Sequence, residues 1–518
     1  MRGVPAVPLL RAFEGQWPPA SLLAAIRDGE AAGVALYRGL NVLSPLQLRE
    51  LAGALREAAV DGGQRVPIVA IDQEGGQLMG IGAPATQFAG PMAMGAVGDA
   101  DLARRVGAAI GTELLAMGIN VDWAPDLDLA TTPSSPAVGT RAFGDDPVLT
   151  AELGAAFVAG LQDSGVAAAI KHFPGSGQTL ADPHHGLPVV EVDAATLEAR
   201  ELAPFRAAVR AGARLVMVSH AAYPALEPDG TVRPALRSPA VLRDLLRTRM
   251  GFEGVVVTDA LDMNAVDQRD VPAAARDAID SGVDLLLAGP AQADRRGELA
   301  AIIVNLRSLP AALDAARRVD QLRAWFEDTP LPDLERVGCE AHTMLAAELA
   351  GRSIAVLRDR SGLLPLPADI APLVITPAPA DLTPADTSSM VTIRLADAMA
   401  RRRPGSRPLV TPIDPGPEDI GAVLDAARDA PGVMLGTIDA FRHDGQRALA
   451  RALVEAGHRV ILVAMRMPTD ADAIPEAGTV IACWSIHDPS TEAAAAVLCG
   501  ERAPSGRVPL GVGVGAAA

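Results

Sequence analysis

Lys171 is the single lysine among the 45 basic residues of this chain. The other basic residues are arginines, so a compact ammonium stands at one place where a planar guanidinium would not fit. His172 follows it, and four of the eight histidines fall between 172 and 220. The chain runs on through Phe173, Pro174, Gly175 and Ser176 to Asp182, Pro183, His184 and His185. Glycines and prolines at this density describe a structured loop leaving a strand end. Asp182 and His184 stand two apart, so in a turn the carboxylate reaches one imidazole nitrogen and leaves the other free. That arrangement orients the ring, fixes its tautomer and raises its basicity, as general acid/base chemistry requires. A surface loop with incidental histidines is the plain alternative.

Two further clusters carry carboxylates. In the first, Val255, Val256, Val257 and Thr258 lead to Asp259, then Asp262 and Met263. A buried strand ending in Asp259 suits a nucleophile or an ion-pair partner, while Asp262 on the next turn reads as a helix cap. In the second, Asp72, Gln73, Glu74, Gly75 and Gly76 follow Ile71. Asp72 can accept hydrogen bonds from paired hydroxyls, and Glu74 can serve as a buried ion-pair partner. Arg141, in a loop flanked by Gly139 and Gly144, adds a cation. His172, Asp182, His184 and His185 have the numbers for a metal site but not a metal-ligand spacing, and Lys171 beside them would repel a cation. No metal and no cofactor are expected.

These residues need strands to hold them. Short apolar runs at 7–13, 33–37, 67–72, 120–129, 166–172, 215–220, 254–259 and 284–289 read as strands. Stretches with helical spacing at 45–59, 100–117, 147–164 and 194–211 lie between them. Eight strands alternating with helices predict an α/β fold, an N-terminal (β/α)8 barrel. An open doubly wound sheet would also alternate, but no glycine-rich phosphate turn follows the first strand. Asp72, Asp128, Lys171, His172, His220 and Asp259 all fall at or near strand ends, the rim where barrels do chemistry. Residues 314–328 read as helix and 340–351 as another. Further strands at 353–357, 373–376, 390–394, 432–438, 459–465 and 479–484, with helices at 418–430 and 445–456, predict a smaller C-terminal α/β layered domain. The expected division is 1–328 barrel, 329–345 linker and 346–518 second domain. Residues 377–386, rich in proline and alanine, read as a mobile loop.

Composition narrows the function classes. The 518 residues are 49% hydrophobic and 21% charged, ample for large cores and against wholesale disorder. Sixty-three acidic residues against 45 basic ones give −18, which argues against a polyanion-binding surface and so against nucleic acid. Three cysteines without ligand spacing indicate no disulfide framework and a reducing compartment. Cys483 and Cys499 read as buried among strand residues. The first apolar stretch is short and interrupted by Arg11 and Glu14, unlike a secretion signal. No run of about 18 apolar residues is free of charge or proline, so no membrane span is expected. A cytoplasmic protein, monomeric or a small homo-oligomer, is the expectation.

Taken together the motifs resemble glycoside hydrolase family 3. The resemblance rests on 33–37, Ile71 to Gly76, Gly139 to Gly144, Lys171 to Gly175, Asp182 with His184, and Thr258 to Met263. The ending 496–509 is similar to the closing strand region of the family's second domain. The D-x-H loop resembles the β-N-acetylglucosaminidase branch, which includes peptidoglycan-recycling enzymes. The resemblance implies Asp259 as nucleophile, His184 as acid/base with Asp182 as its partner, and carbohydrate contacts from Asp72, Arg141, Lys171 and His172. It implies a retaining enzyme that releases terminal β-N-acetylglucosamine-type sugars; the second domain, in which no spacing demands catalysis, reads as scaffold. A histidine acid/base leaves phosphorolysis open, and three departures leave open another β-linked sugar or a degenerate sugar-binding protein. The family's DQEGGRVQR loses both arginines, to Gln77 and Gly80. Ser176 stands where KHFPGHG has histidine, and Pro183 where DSH has serine. An arginine restored at Gly80 is expected to improve recognition of a simple N-acetylglucosaminide, unless Arg38 or Arg141 compensates.

Overall fold

Eight short parallel strands form the first sheet: β1 (Leu9–Arg11), β2 (Gly33–Ala35), β3 (Ile68–Ile71), β4 (Val121–Asp122), β5 (Ala167–Phe173), β6 (Leu215–Val218), β7 (Val255–Thr258) and β8 (Leu286–Ala288). They neighbour one another in chain order; β8 pairs with β1, and the bridge Val257 to Leu285 closes the ring. The computed structural model describes residues 5–511 apart from 133–134, 136–137, 180–185, 264–265, 267, 269 and 294–295. Each expected barrel strand is present, though most are shorter. The stretch 120–129 is paired only at Val121–Asp122 and at an isolated bridge from Asp126 to Lys171.

Side-chain alternation builds the barrel, because successive residues of a strand point to opposite faces. Val255, Val257, Ala167, Ala169, Leu215 and Met217 fill the interior, where the helix Pro310–Glu327 adds Leu322 and Phe326. Val256, Ala168, Ile170, Val216 and Val218 face outward into the helix layer. The surrounding helices start where the sequence provides caps. Ser44 accepts from the Gln47 N–H ahead of Pro45–Asp61, and Asp146 accepts from Val148 and Leu149 ahead of Pro147–Asp163.

The second sheet contains β9 (Ala355–Asp359), β10 (Leu373–Pro377), β11 (Arg407–Thr411), β12 (Val433–Thr437), β13 (Val460–Ala464) and β14 (Thr479–Ala482). Its order is β9-β14-β13-β12-β10-β11, with β9 alone antiparallel. The chain leaves β10 for β11 on one side and then returns to β12 on the other, so the carboxyl ends of β10 and β12 flank a switch point. Helices cover both faces, giving a layered α/β domain. Among the expected strands, 390–394 is corrected: it leads into the helix Leu395–Arg402, and the strand is Arg407–Thr411. That edge strand is largely exposed and carries Pro408, which hides its periodicity and suits an edge. The ending 496–509 is likewise no strand. It finishes the helix Asp488–Leu498 and returns to the barrel, where Arg507 N–H donates to Ala96 and Asp145 N–H to Pro509. Cys483 is fully buried, but Cys499 caps that helix half-buried rather than lying in a strand.

The two units share structure. The helix Glu340–Ser353 begins inside the stretch expected as linker, and its His342 Nδ1 lies 2.8 Å from the buried Glu113 of the barrel. The loop 377–386 is pinned rather than loose. Asp386 meets Arg466 at 2.8 Å with both buried, and just beyond it Thr387 bonds the Gln77 carbonyl and the Met79 N–H at 3.1 Å each.

Candidate active site

A cavity of about 540 Å3 opens at the carboxyl ends of the barrel strands. It is lined by Asp72, Asp128, Lys171, His172, His220 and Asp259, with Arg141 beside them and residues 383–387 of the second domain on the far wall. Six strand-end residues singled out from their types thus converge on one space. Each is placed by its strand: Asp72 follows β3, Lys171 and His172 lie in β5, His220 follows β6, and Asp259 follows β7.

The floor is an ion-pair network. Glu74, fully buried, accepts from Arg141 Nε at 2.9 Å and Nη2 at 2.8 Å, and meets Lys171 Nζ at 2.6 Å. Lys171 also bonds Asp72 at 2.5 Å, and Arg141 lies 3.3 Å from Asp126. Burial opposes ionisation of Glu74, but Arg141 and Lys171 together hold its carboxyl below the usual range. Burial, and then Asp128, push Asp126 up instead. Asp72, with its side chain 28% exposed, keeps an oxygen toward the cavity.

His172 links the floor to the strand end of β7. Its Nδ1 lies 2.8 Å from Asp128 Oδ2, and its Nε2 lies 4.0 Å from Asp259 Oδ2. Burial disfavours the imidazolium, yet the Asp128 bond and the charges of Asp126 and Asp128 raise the pKa above its ordinary value. Asp259 accepts the Ala260 N–H at 2.7 Å through Oδ1, which leaves Oδ2 toward the cavity. Although burial opposes its charge, His172, His220, the Ala260 N–H and Lys171 lower its pKa. This carboxylate favours its charged form, is held at Oδ1, and has no hydrogen bond to Oδ2 among the described residues. Such a group can attack an electrophilic carbon.

The chain belongs to glycosyl hydrolase family 3. The sequence model of the Glycosyl hydrolase family 3 N terminal domain matches residues 18–322. A family 3 β-N-acetylglucosaminidase from Paenibacillus sp. str. FPU-7 superposes with a TM-score of 0.90 at 30% identity, covering 98% of both chains. Beta-hexosaminidase A of Pseudoalteromonas piscicida is 34% identical over 364 residues, 64% of this chain and 60% of that protein. A beta-hexosaminidase of Stenotrophomonas maltophilia (strain K279a) is 35% identical over 51% of this chain and 77% of its own length.

Within this family 3 site, Asp182, His184 and His185 lie outside the described residues. Pro183 lies outside the described residues as well, while the departures at Ser176, Gln77 and Gly80 have local settings. Ser176 bonds Ser219 at 2.9 Å and Tyr223 at 3.1 Å, and its N–H donates to Asp128 at 2.5 Å, so a hydroxyl network replaces the imidazole. Gln77 turns toward Thr140, 3.3 Å away. The expectation that arginine at Gly80 would help is corrected. A Cβ there would stand 2.5 Å from Ile71 Cγ1 and 2.6 Å from the Asp72 carbonyl, so any side chain would have to displace the Asp72 backbone. Arg141 does not fill the gap either, since its guanidinium is committed to Glu74 and Asp126. Asp262 caps a helix, as its turn position suggested, but the one after β8: it accepts the Ala291 N–H at 2.9 Å.

Asp126 escaped the sequence reading because it lies further inside the expected strand 120–129, away from the end that singled out Asp128. The cavity wall from the second domain was missed for a different reason: contacts between 77–79 and 387 are invisible to local patterning. Asp126, Asp128 and His172 bring ligand atoms within 4.8 Å of one another. The Arg141 guanidinium already occupies the cation position beside Asp126, so the geometry favours an internal ion pair over a metal there.

Proposed function

We propose that this chain is a retaining glycoside hydrolase that releases terminal, non-reducing β-N-acetylglucosamine-type sugars. The observation that carries the reading is Asp259, held ionised at the cavity floor with one oxygen fixed by Ala260 and the other open. The similarity to β-N-acetylglucosaminidases and beta-hexosaminidases supports the sugar class. Asp259 Oδ2 attacks the anomeric carbon while His184, protonated, gives its proton to the departing oxygen. A glycosyl ester forms on Asp259. Water then attacks that ester's anomeric carbon, and His184, now the base, takes a proton back. Asp182 orients the His184 ring. Asp72, Lys171 and His172 take sugar hydroxyls, and Arg141 holds Glu74 and Asp126 in place behind them. The reading extends to turnover of cell-wall amino sugars, supported by the D-x-H motif, and to a place inside the cell, supported by three cysteines without a disulfide framework. In this reading the protein acts on carbohydrate as a monomer or small homo-oligomer, without nucleic acid or membrane as partner.

The test is covalent trapping. A fluorinated N-acetylglucosaminyl fluoride should add one glycosyl mass to the intact protein, on the peptide that carries Asp259. Asp259→Ala should abolish both the adduct and turnover of an activated aryl N-acetylglucosaminide. His184→Ala should retain most of the first step on that substrate and lose it on an unactivated one. An adduct elsewhere, or turnover that survives in Asp259→Ala, would overturn the assignment.

A further inference from the structure

Ion pairs within the protein occupy the cations of the cavity floor, but one cation on the wall stands outside them. Arg38, at the start of the turn Arg38–Asn41 after β2, is half-buried and lines the cavity. Its Nη1 donates to the Met79 carbonyl at 3.2 Å, and among the described residues it has no ion-pair partner. Burial lowers its pKa, and the one charge that works against this is Asp381. Gly82 makes the position possible, because a Cβ there would stand 2.3 Å from Nη2. Asp381 comes from the second domain, lines the same cavity, and is exposed. Its two oxygens accept the Ser389 N–H and Oγ–H at 2.7 Å each, which leaves further lone pairs open. The loop that carries it is fixed to the barrel at Thr387 and to its own domain through Asp386 and Arg466.

Arg38 and Asp381 therefore line one cavity, on elements that meet at Met79, whose carbonyl takes the Arg38 bond and whose N–H donates to Thr387, and no ion pair joins them among the described residues. A guanidinium with free N–H groups matches two adjacent oxygens, and a facing carboxylate accepts a hydroxyl proton. A carboxylate-bearing ligand fits poorly, since it would lie against Asp381. We propose that Arg38 and Asp381 form a second recognition element, contributed by the two domains, that binds adjacent hydroxyls of a second sugar ring, the unit to which the terminal sugar is joined. The proposal rests on the reading that Asp72, Lys171 and Asp259 hold the terminal sugar.

The experiment compares kcat/KM for a β-1,4-linked N-acetylglucosamine disaccharide with that for an aryl N-acetylglucosaminide, in the full chain. Arg38→Met and Asp381→Asn each remove half of the pair. Gly82→Ala displaces the guanidinium while keeping its charge, and disturbs only the far end of a flexible side chain. In each variant the ratio of disaccharide to aryl kcat/KM should fall about tenfold or more, the effect of a lost charge-assisted hydrogen bond. An unchanged ratio, including equal losses on both substrates, would overturn the proposal. A parent chain that turned over neither substrate would break the proposed function instead. The pair would then be read by calorimetry as the affinity for the disaccharide relative to the monosaccharide, with the same two outcomes.

Discussion

Glu74→Gln tests whether one buried carboxylate organises the floor. The substitution keeps the shape and removes one charge from a fully buried position. Glu74 accepts three bonds from two cations, at 2.9, 2.8 and 2.6 Å, and a glutamine amide must turn an N–H toward one of them. Breaking a buried pair from one side costs about 3–5 kcal/mol. Here each cation keeps a second carboxylate, Asp126 for Arg141 and Asp72 for Lys171, so the lower end, about 3 kcal/mol, is expected. At roughly 2 °C per kcal/mol for a large domain, the melting midpoint should drop by about 6 °C. Lys171 would then turn wholly to Asp72 and lose the sugar contact proposed for it. One charge-assisted bond is worth about 1.5–3 kcal/mol, so kcat/KM should fall about 10- to 100-fold. The pH dependence has a definite sign. Burial opposes the charge on Glu74, but Arg141 and Lys171 depress its pKa in the folded chain, so its stabilisation is present above the ordinary carboxylate range and lost as pH falls through the depressed value. The gap between parent and variant in urea unfolding should therefore be widest near neutrality and close in acid. A variant as stable as the parent within about 0.5 kcal/mol, with unchanged kcat/KM, would refute the idea that Glu74 is the hub.

Other perturbations test neighbouring claims. Asp128→Asn removes the main group that raises the His172 pKa against burial, so on an activated aryl glycoside the alkaline limb of kcat/KM should move to lower pH; an unmoved limb would detach His172 from the rate. The matching stability effect is present below the ordinary imidazole pKa and is lost as pH rises through the raised value. Gly80→Ala should cost about 1–3 kcal/mol in denaturant unfolding and give no gain in kcat/KM, because its Cβ meets the Asp72 carbonyl at 2.6 Å; a neutral or improved enzyme would contradict the packing. Thr387→Val strips the Met79 N–H of its 3.1 Å partner and should raise KM while lowering stability by about 1 kcal/mol, with Thr387→Ser restoring both; failure of serine to rescue would mean the methyl packing matters instead.

The barrel was legible because its strands are short β-branched or apolar runs whose polar residues sit at one end. Asp72, Lys171, His172 and Asp259 were found that way, and the structure brings all four to one cavity. What eluded sequence reasoning depends on contacts between distant segments. The loop 377–386 looked mobile from its prolines and alanines, yet a buried Asp386–Arg466 pair 80 residues apart holds it. The second domain looked like a scaffold alone, since no spacing in it suggests chemistry, but the same loop forms part of the cavity wall. Gly80 looked like a missing arginine because a motif is one-dimensional. Only the approach of Ile71 and the Asp72 carbonyl shows that the backbone leaves no volume there. Strand β11 was missed because an exposed edge has no apolar alternation to read.

The floor also explains why a chain rich in arginine has kept one lysine. Arg141 uses its planar fork on Glu74, Nε and Nη2 together, and lays the same edge beside Asp126. The second cation must reach from inside β5, 2% exposed, to single oxygens of Asp72 and Glu74 at 2.5 and 2.6 Å. A point charge on a thin stem fits between them, whereas a second fork would have to push Asp72 out of the cavity. These two cations also sort the carboxylates. Asp72, Glu74 and Asp126 each contact a permanent cation, so their lone pairs are partly occupied before a substrate arrives. Asp259 is stabilised differently, by imidazoles and one backbone N–H, with no guanidinium or ammonium in direct contact among the described residues. It keeps its charge without surrendering its outer oxygen. A carboxylate in that condition fits the nucleophilic role proposed for it.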